Sequence, residues 1–253
     1  MFQVEREKCI LECLAQEQIA SLAHIQALTG SSIATVRRDL NSMERRGLVL
    51  RSHGYVQLPE ASLKPAQPSN LDEKERIAIA AAAQIQDGDT VFLSSGTTCS
   101  CLARHLGGKR GLRIVTINLD VARDLARLPG VSVSLLGGEV RVEPDYMETM
   151  DEYTIQILER LYFDKVFATV NGIDFQYGYS IRLQLQLTLF QHLLQNSREF
   201  YCLADSSKFN RRTHMHFCPI DAIRHVVTTE EVRQKYAAQF AQHDIHVIAG
   251  AAR

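Results

Sequence analysis

The sequence has no excess of charge of either sign, since 28 lysines and arginines stand against 29 aspartates and glutamates in 253 residues. This balance excludes a protein that binds polyanions through overall basicity, although it leaves room for a local basic patch. The sequence also lacks any run near the roughly 18 apolar residues of a membrane span. The first ten residues include Glu5, Arg6, Glu7 and Lys8 and hold no apolar signal segment, so a cytoplasmic protein is expected.

The six cysteines are scattered and form no CxxC pair, the spacing typical of zinc sites and redox motifs. They are therefore expected to be small buried residues in a reducing compartment, and neither a metal nor a cofactor is predicted. Internal repeats and low-complexity segments are also absent. With 45% apolar and 23% charged residues, the composition is that of a folded globular chain.

The length predicts two domains, at roughly 150 residues per domain. Residues 5–47 show helical periodicity with no strand-like run, whereas strand-like and helical runs alternate after Glu73. Between them, residues 59–72 contain three prolines among polar residues, as an interdomain linker does. We therefore expect a small N-terminal domain over 1–58, a linker over 59–72 and a larger domain over 73–253.

The N-terminal segment predicts a winged helix-turn-helix. Two short helices fit residues 6–15 and 22–28, and Ser32 is a suitable N-cap for a third helix that runs to about Arg46 and ends at Gly47. Residues 48–56 then predict two short strands around a turn, which form the wing. The core-facing stripe of the third helix is expected to contain Ile33, Val36, Leu40 and Met43.

The opposite face of the third helix and the wing carry side chains suited to DNA. Arg38 can reach guanine edges or phosphates, Asn41 can contact adenine, and Thr35 can contact a phosphate or a thymine methyl. Between residues 37 and 51, five arginines outweigh Asp39 and Glu44 to give a net charge of +3. An ordinary solvated arginine face is the alternative interpretation. The candidate DNA-binding residues are Ser32, Ala34, Thr35, Arg37, Arg38, Asn41, Arg45, Arg51 and His53.

The second segment predicts an α/β domain with a mainly parallel sheet, because seven strand-like runs alternate with helical stretches. The runs are 90–93, 113–116, 131–136, 165–170, 199–204, 225–228 and 245–248; the helical stretches lie near 73–86, 98–107, 119–128, 151–161, 187–197 and 230–242. Leu183–Leu189 alternates with period two, so its first part is expected to be extended, with a helix beginning near Leu187.

Polar and glycine-rich loops follow five of these strand-like runs. Ligands of open parallel sheets bind beyond the carboxyl ends of the strands, and backbone N–H groups with hydroxyls beside them suit a phosphate. Each loop alone could equally be a plain capped turn. The candidate effector-binding residues are Ser94, Ser95, Gly96, Thr97, Thr98, Asn118, Gly137, Gly138, Asn171, Gly172, Asp205 and Lys208.

Several motifs in both segments resemble one family. Ser32-Ile-Ala-Thr-Val-Arg-Arg-Asp-Leu40, Met43-Glu44, Gly47, Arg51 and His53-Gly54 resemble the winged helix of DeoR-type bacterial transcription regulators. Ser95-Gly-Thr-Thr98, Asn118, Gly137-Gly138, Asn171-Gly172-Ile-Asp174 and Asp205-Ser-Ser-Lys208 resemble the DeoR C-terminal sensor domain. The resemblance implies a fold related to ribose-5-phosphate isomerase and a phosphorylated sugar or related metabolite as effector.

The resemblance also implies roles for individual residues. Ser95–Thr98 would cradle the phosphate, Asn118 and Asp205 would bind hydroxyls, and Lys208 would supply positive charge. The chain departs from the family pattern at Ser94, where many relatives have aspartate, and at Gln186, where they have glutamate. Tyr55 and Met43 also depart from the usual glycine and leucine of the winged helix.

The expected function is therefore a DNA-binding transcriptional regulator whose C-terminal domain senses a phosphorylated metabolite. A repressor is expected rather than an activator. Its expected partners are double-stranded operator DNA, the effector and further copies of itself in a homodimer or larger oligomer. One alternative is a regulator whose altered C-terminal domain only oligomerises. Another is a sugar-phosphate isomerase, which the missing acids at Ser94 and Gln186 disfavour because isomerisation needs a general base.

Overall fold

The computed structural model describes residues 3–17, 19–46, 48–52, 55–57 and 70–251. Contacts divide the chain into two compact units, Met1–Ala66 and Gln67–Arg253, and each has its own apolar core. Gly47, His53, Gly54 and most of the expected linker fall outside the described residues. None of the helices described is long and apolar enough to cross a membrane.

The N-terminal unit contains three helices and a small antiparallel sheet, which confirms the predicted helix-turn-helix and wing. The elements are α1 (Gln3–Glu17), β1 (Ile19–Ser21), α2 (Leu22–Thr29), α3 (Ile33–Arg45), β2 (Leu50–Ser52) and β3 (Tyr55–Gln57). The sheet has the order β1-β3-β2. The expectation that residues 5–47 hold no strand was wrong, because β1 adds a third strand; its three residues are too few to show a period-two pattern.

Local capping sets the bounds of the helices in this unit. The Ser21 hydroxyl accepts a hydrogen bond from His24 N at the start of α2, and Gly30 ends that helix with a left-handed φ of 60°. As predicted, Ser32 caps α3 by accepting a hydrogen bond from Thr35 N at 3.3 Å. These caps fix where α3 begins and therefore which of its residues face outward.

The core of the N-terminal unit contains one side of α3. Val36, Leu40 and Met43 are fully buried beside Ile10 and Leu14 of α1. The prediction that Ile33 joins this stripe was wrong, because the Ile33 side chain is 37% exposed. As the first residue of α3, Ile33 lies beyond the end of the apolar contact with α1 and α2.

The C-terminal unit is built on a seven-stranded parallel sheet, which confirms the predicted α/β architecture. Its strands are β4 (Thr90–Leu93), β5 (Leu112–Thr116), β6 (Val131–Leu135), β9 (Phe163–Thr169), β12 (Ser197–Leu203), β14 (His225–Thr229) and β15 (His246–Gly250). The order across the sheet is β15-β14-β12-β9-β4-β5-β6, and every pair is parallel. All seven predicted runs are strands of this sheet.

Helices connect these strands at the predicted places, with shifted ends. They are α4 (Leu71–Ala82), α5 (Thr97–Ala103), α6 (Leu119–Leu125), α7 (Glu152–Leu158), α8 (Gln184–Gln195), α9 (Glu230–Lys235) and α10 (Ala237–Gln242). Because α4 begins at Leu71, the last two residues of the expected linker are helical. The single helix expected over 230–242 is interrupted at Tyr236.

The segment Leu183–Leu189 is helical almost throughout, so the expectation of an extended first part was wrong. Only Leu183 is extended, and α8 starts at Gln184 rather than near Leu187. Within α8, the buried residues are Leu189, Phe190 and Leu193, which share one face of a helix. The period-two alternation before them gave a false strand signal because tertiary packing outweighs so short a pattern.

Two small antiparallel sheets were not predicted from the sequence. One is the hairpin of β7 (Val140–Glu143) and β8 (Tyr146–Thr149). The other has the order β10-β11-β13, formed by Gly172–Asp174, Gly178–Ile181 and Met215–Cys218. Both lie outside the parallel sheet.

The strand order reverses direction at the centre of the parallel sheet. The chain runs outward through β4, β5 and β6 and then returns to the other side of β4 as β9. Such a reversal opens a crevice beyond the carboxyl ends of the two central strands, where ligands of open α/β sheets bind. The loops that follow β4 and β9 therefore border the expected ligand position.

Candidate DNA-reading and effector-binding sites

The outward face of α3 presents unpaired arginines. Arg37 and Arg38 are exposed, and neither makes a hydrogen bond or an ion pair within the described part of the chain. Arg45 and the small residue Ala34 are exposed on the same helix, whereas Thr35 is half-buried and its hydroxyl bonds the Ser32 hydroxyl at 2.9 Å. This face can approach a polyanion without first breaking internal ion pairs.

The wing is joined to α3 through two of the predicted DNA-binding residues. The Arg51 guanidinium donates a hydrogen bond to the Asn41 side-chain oxygen and lies 3.9 Å from the Glu44 carboxylate. Asn41 must therefore exchange Arg51 for a base edge if it contacts adenine. His53 lies outside the described residues.

Two ion pairs fix α3 against α1. The Arg6 guanidinium contacts the Asp39 carboxylate at 2.7 and 3.2 Å, and Arg46 contacts Glu7 at 2.6 Å. The hydrogen bond from Arg46 lowers the pKa of the Glu7 carboxyl below its ordinary value. Because Arg6 neutralises the buried Asp39, that carboxylate does not pair with the exposed Arg37 and Arg38.

The predicted effector loops meet at one edge of the parallel sheet. Ser94–Thr98 follows β4, Asn118 follows β5, Asn171 follows β9 and Asp205 follows β12, and these are four adjacent strands. Gly137 and Gly138 follow β6 at the outer end of the sheet and are exposed. The sequence thus correctly grouped these loops on one edge.

The side chain of Asn118 stabilises the fold through hydrogen bonds within the protein. Asn118 is fully buried, and its side-chain oxygen caps α6 by accepting hydrogen bonds from Asp120 N and Val121 N. Its side-chain nitrogen donates to the Ser100 hydroxyl at 3.2 Å. The Asn118 amide is therefore occupied within the protein, which weakens its assignment as a ligand for effector hydroxyls.

Gly138 and Gly172 are close-packing positions, whereas a Cβ on Gly137 would meet no atom within 4 Å. A Cβ on Gly138 would lie 2.5 Å from the Thr154 hydroxyl, in the capping box of α7. A Cβ on Gly172 would lie 2.4 Å from the Arg211 carbonyl oxygen. The Asn171 side-chain oxygen accepts a hydrogen bond from Arg182 N at 3.1 Å. These contacts explain Gly138, Gly172 and Asn171 without a ligand.

Ser94 and Lys208 are among the predicted residues whose side-chain polar groups form no hydrogen bond or ion pair within the described residues. Ser94 is buried, and its hydroxyl has no hydrogen-bond partner among the described residues. Burial lowers the pKa of the Lys208 ammonium, and the nearby Asp205 carboxylate opposes that shift. The Asp205 Oδ1 atom is occupied by Asn70 Nδ2 and by the backbone N–H and hydroxyl of Ser207.

Further cations surround Lys208 and were not predicted. Their positive charges lower the pKa of Lys208 further; they are Lys74, Arg211 and Arg182. Lys74 is only 8% exposed, and no carboxylate within the described residues forms an ion pair with it. Hydrogen bonds from Asn70 to Asp205 and from Ser206 N to Glu73 hold the start of α4 against this loop. Buried cations without paired anions favour an anionic ligand.

Two titratable side chains of β8 were also not predicted as site residues. Glu148 and Tyr146 both lie beside Ser95, in the loop after β4. Burial raises the pKa of both groups above their ordinary values, and the Ser95 hydroxyl offsets part of each shift. A buried carboxyl group therefore exists at this edge of the sheet, although Ser94 and Gln186 are not acidic.

A winged helix with an exposed arginine face, followed by an α/β domain with lysines at the carboxyl edge of its parallel sheet, defines a DNA-binding transcriptional regulator. Residues 6–62 match the family model described as the DeoR-like helix-turn-helix domain, and residues 69–230 match the DeoR C-terminal sensor domain. The chain belongs to the DeoR family of transcriptional regulators.

Named relatives align over nearly the whole chain. The glycerol-3-phosphate regulon repressor of Escherichia coli (strain K12) is 31% identical over 237 residues, which cover 90% of this chain and 91% of the relative. The lactose phosphotransferase system repressor of Lactococcus lactis subsp. lactis is 29% identical over 253 residues, covering 96% and 97%. Among solved structures, ribose 5-phosphate isomerase A of Methanocaldococcus jannaschii aligns with 56% of this chain and 55% of its own, at 16% identity and a TM-score of 0.39.

Proposed function

We propose that this regulator is a repressor that acts in the cytoplasm, where residues 1–58 bind operator DNA and residues 73–253 sense a phosphorylated metabolite and oligomerise, joined by a linker over 59–72. The DNA half rests on one observation above the others. Arg37 and Arg38 lie exposed on α3, next to its small residue Ala34, and form no ion pair within the described residues. Arginines in that state bind phosphates and guanine edges at the full strength of a charge-assisted hydrogen bond.

The effector half rests on the buried Lys74, the half-buried Lys208 and the unpartnered Ser94 hydroxyl. A phosphate group placed between the Ser94–Thr98 loop and Lys208 would give Ser94 a hydrogen-bond acceptor and would neutralise Lys208 and Lys74. The relatives support a phosphorylated compound, since one is named for the glycerol-3-phosphate regulon and another for a phosphotransferase system. Gly96 and Thr97 complete the proposed phosphate loop.

Sensing requires that the effector bind two arrangements of the protein with different affinity. We propose that the chain acts as a homodimer or a larger symmetric oligomer, because helix-turn-helix proteins double their DNA contacts across a two-fold axis. The effector then changes the spacing of the two α3 helices and releases the operator.

We propose that the C-terminal domain binds its ligand without converting it. The positions where related sequences carry acids hold Ser94 and Gln186, and loss of a general base removes a factor of about 10² to 10⁴ in rate. Incubation of the protein with ribose 5-phosphate, followed by an assay for ribulose 5-phosphate, should show no turnover; measurable turnover would establish the isomerase alternative.

A salt-titrated DNA-binding assay tests the proposal as a whole. The probe is the DNA upstream of the protein's own gene, with and without a pool of sugar phosphates. We expect binding that survives competitor DNA, weakens steeply with salt and is reduced by the pool. Specific binding that ignores the pool would favour a C-terminal domain that only oligomerises, whereas the absence of specific binding to operator candidates would contradict the DNA half.

A further inference from the structure

The β7–β8 hairpin has the reverse of the usual polarity. Cross-strand pairing places Arg141 opposite Glu148 and Glu143 opposite Tyr146, so these four side chains share one face. That polar face is the covered one, since Glu148 is buried and the other three are half-buried. The apolar residues of the other face are exposed instead: Val140, Val142 and Met147. A ribbon that turns its charged face inward covers a polar space rather than an apolar core.

Hydrogen bonds fix this polar face at the carboxyl edge of the parallel sheet. Thr149 N donates to the Ile117 carbonyl at 2.8 Å, and the Thr149 hydroxyl donates to the Leu136 carbonyl at 2.5 Å. An isolated bridge joins Glu148 to Asn118 directly after β5. The side chain of Glu148 is thereby held beside Ser95, in the loop that follows β4.

Glu148 forms no ion pair within the described residues. It is 3% exposed, and no lysine or arginine nitrogen of that part of the chain lies within 4 Å of its carboxylate. A buried carboxyl without a paired cation costs free energy, and such groups concentrate at binding and catalytic sites. A carboxylate repels a phosphate but accepts hydrogen bonds from hydroxyl groups. Its chemistry therefore fits the sugar part of the effector.

We propose that Glu148, with Tyr146 beside it, forms the wall that binds the hydroxyl groups of the effector, while the phosphate lies against the Ser94–Thr98 loop and Lys208. This inference rests on the proposed function and identifies the effector class more closely. The ligand is a phosphate monoester with at least one free hydroxyl within reach of the phosphate loop. Glu148 determines the preference for the polyol, and the cations determine the affinity for the phosphate.

The test compares ligands that share a phosphate monoester and differ in hydroxyl groups. Binding of glucose 6-phosphate, fructose 1-phosphate, fructose 6-phosphate, ribose 5-phosphate and glycerol 3-phosphate is measured by calorimetry on the full chain, with ethyl phosphate as the hydroxyl-free reference. The variant is Glu148→Gln, which keeps the shape of the side chain. The control is Glu139→Gln, which removes an equal charge from an exposed residue beside the same hairpin.

We expect Glu148→Gln to weaken the best sugar phosphate about ten- to a hundredfold, as befits the loss of a hydrogen bond to a charged group. Ethyl phosphate should bind the variant as well as the wild type or better, because a repulsive charge is gone. Glu139→Gln should change neither. Thermal unfolding of both variants without ligand checks that each retains the fold.

If Glu148→Gln changes the affinities for sugar phosphates and for ethyl phosphate equally, or changes neither, the proposed role of Glu148 is wrong. The proposed phosphate site would be unaffected by that result. Failure of the wild type to bind any of these phosphates would overturn the proposed effector site and this inference with it. A Lys208→Met variant separates the two cases, because it should weaken ethyl phosphate and sugar phosphates alike.

Discussion

At the scale of single residues, two arginines next to each other in sequence are exposed and form no ion pair within the described part of the chain. Arg37 and Arg38 lie on the exposed side of α3, while neighbouring Asp39 is turned inward to Arg6. The alternation of one inward carboxylate with outward arginines follows from the helical period, because Asp39 lies beside the buried Val36, Leu40 and Met43.

Arg38→Ala should weaken operator binding about ten- to a hundredfold, the range for the loss of one bidentate base or phosphate contact. The slope of log affinity against log salt should fall by about one if the contact is to phosphate. Fluorescence anisotropy with labelled operator DNA measures both. Arg127→Ala, which removes an exposed arginine from the C-terminal unit, is the matched control. A folded Arg38→Ala protein with unchanged affinity would show that α3 does not contact DNA through this residue.

Glu148 also predicts a pH dependence of stability. Burial raises the pKa of its carboxyl above 4.5, so between 4.5 and the raised value the native chain holds a proton that the unfolded chain releases. The bound proton therefore stabilises the native chain at low pH, and its contribution to the free energy of unfolding is lost as the pH rises through the raised pKa. Glu148→Gln should remove this pH dependence. The free energy of unfolding of the variant, relative to that of the wild type, should therefore be larger at pH 7 than at pH 4.

Urea titrations of both proteins at the two pH values measure this difference. A constant offset between the proteins at pH 4 and pH 7 would mean that Glu148 ionises normally. Glu139→Gln again serves as the control, since it removes an equal charge from an exposed side chain beside the same hairpin.

At the scale of elements, glycines after the strand ends allow close packing of the backbone, in addition to their proposed place in binding loops. Gly172 begins β10, and the Arg211 carbonyl oxygen occupies the place of a Cβ at that position. This close approach brings the loop after β12 against the end of β9.

Gly172→Ala should lower the free energy of unfolding by about 1–3 kcal/mol, the usual range for overpacking, because backbone atoms must move to admit the methyl group. Gly107→Ala is the control, as no atom lies within 4 Å of the place its methyl group would take and its φ is not left-handed. It should be neutral or slightly stabilising. Guanidinium titrations distinguish the two variants, and equal stabilities would show that the Arg211 loop adjusts without cost.

The parallel sheet was predictable and the hairpin was not, for physical reasons. A central parallel strand is covered on both sides, so β4, β9 and β12 each contain a short apolar run, at Val91–Leu93, Val166–Ala168 and Phe200–Leu203. In β7, apolar and charged residues do alternate over Val140–Glu143, but four residues are a weak signal and β8 lacks it. Nothing local in sequence predicts that β8 turns its charged face toward the sheet.

Some residues of the candidate effector site could likewise be predicted from the sequence, and others could not. Ser94 and Lys208 belong to strand-end motifs and were visible in the sequence. Lys74 could have been found, because it occupies the apolar stripe of α4 together with Ile77, Ala78 and Ala81. Glu148 could not, since it reaches Ser95 only through tertiary packing of a hairpin far along the chain.

At the scale of the whole molecule, DNA recognition and oligomerisation are expected to reside in different units. The isolated fragment 1–66 contains the complete contact unit with its own core of Ile10, Leu14, Val36, Leu40 and Met43. Operator affinity of the full chain should exceed that of the fragment at least about a hundredfold, because two linked modules bind with a high effective concentration.

Parallel measurements on the same operator test this expectation. Circular dichroism of the fragment checks that its helices persist, and sedimentation of the full chain reports its oligomeric state. A folded fragment that binds as tightly as the full chain would show that a single winged helix accounts for recognition.

The separation of Glu148 from the strands of the parallel sheet has an evolutionary consequence. The proposed phosphate-binding floor follows the buried central strands of the fold, where most substitutions are destabilising. The proposed sugar-facing wall belongs to a two-stranded ribbon whose other side is exposed, with Val142 accessible over 71% of its surface. Substitutions there are tolerated more easily. A lineage can thus exchange one inducer for another by altering a few ribbon residues while its capacity to hold phosphate, and the fold itself, stay intact.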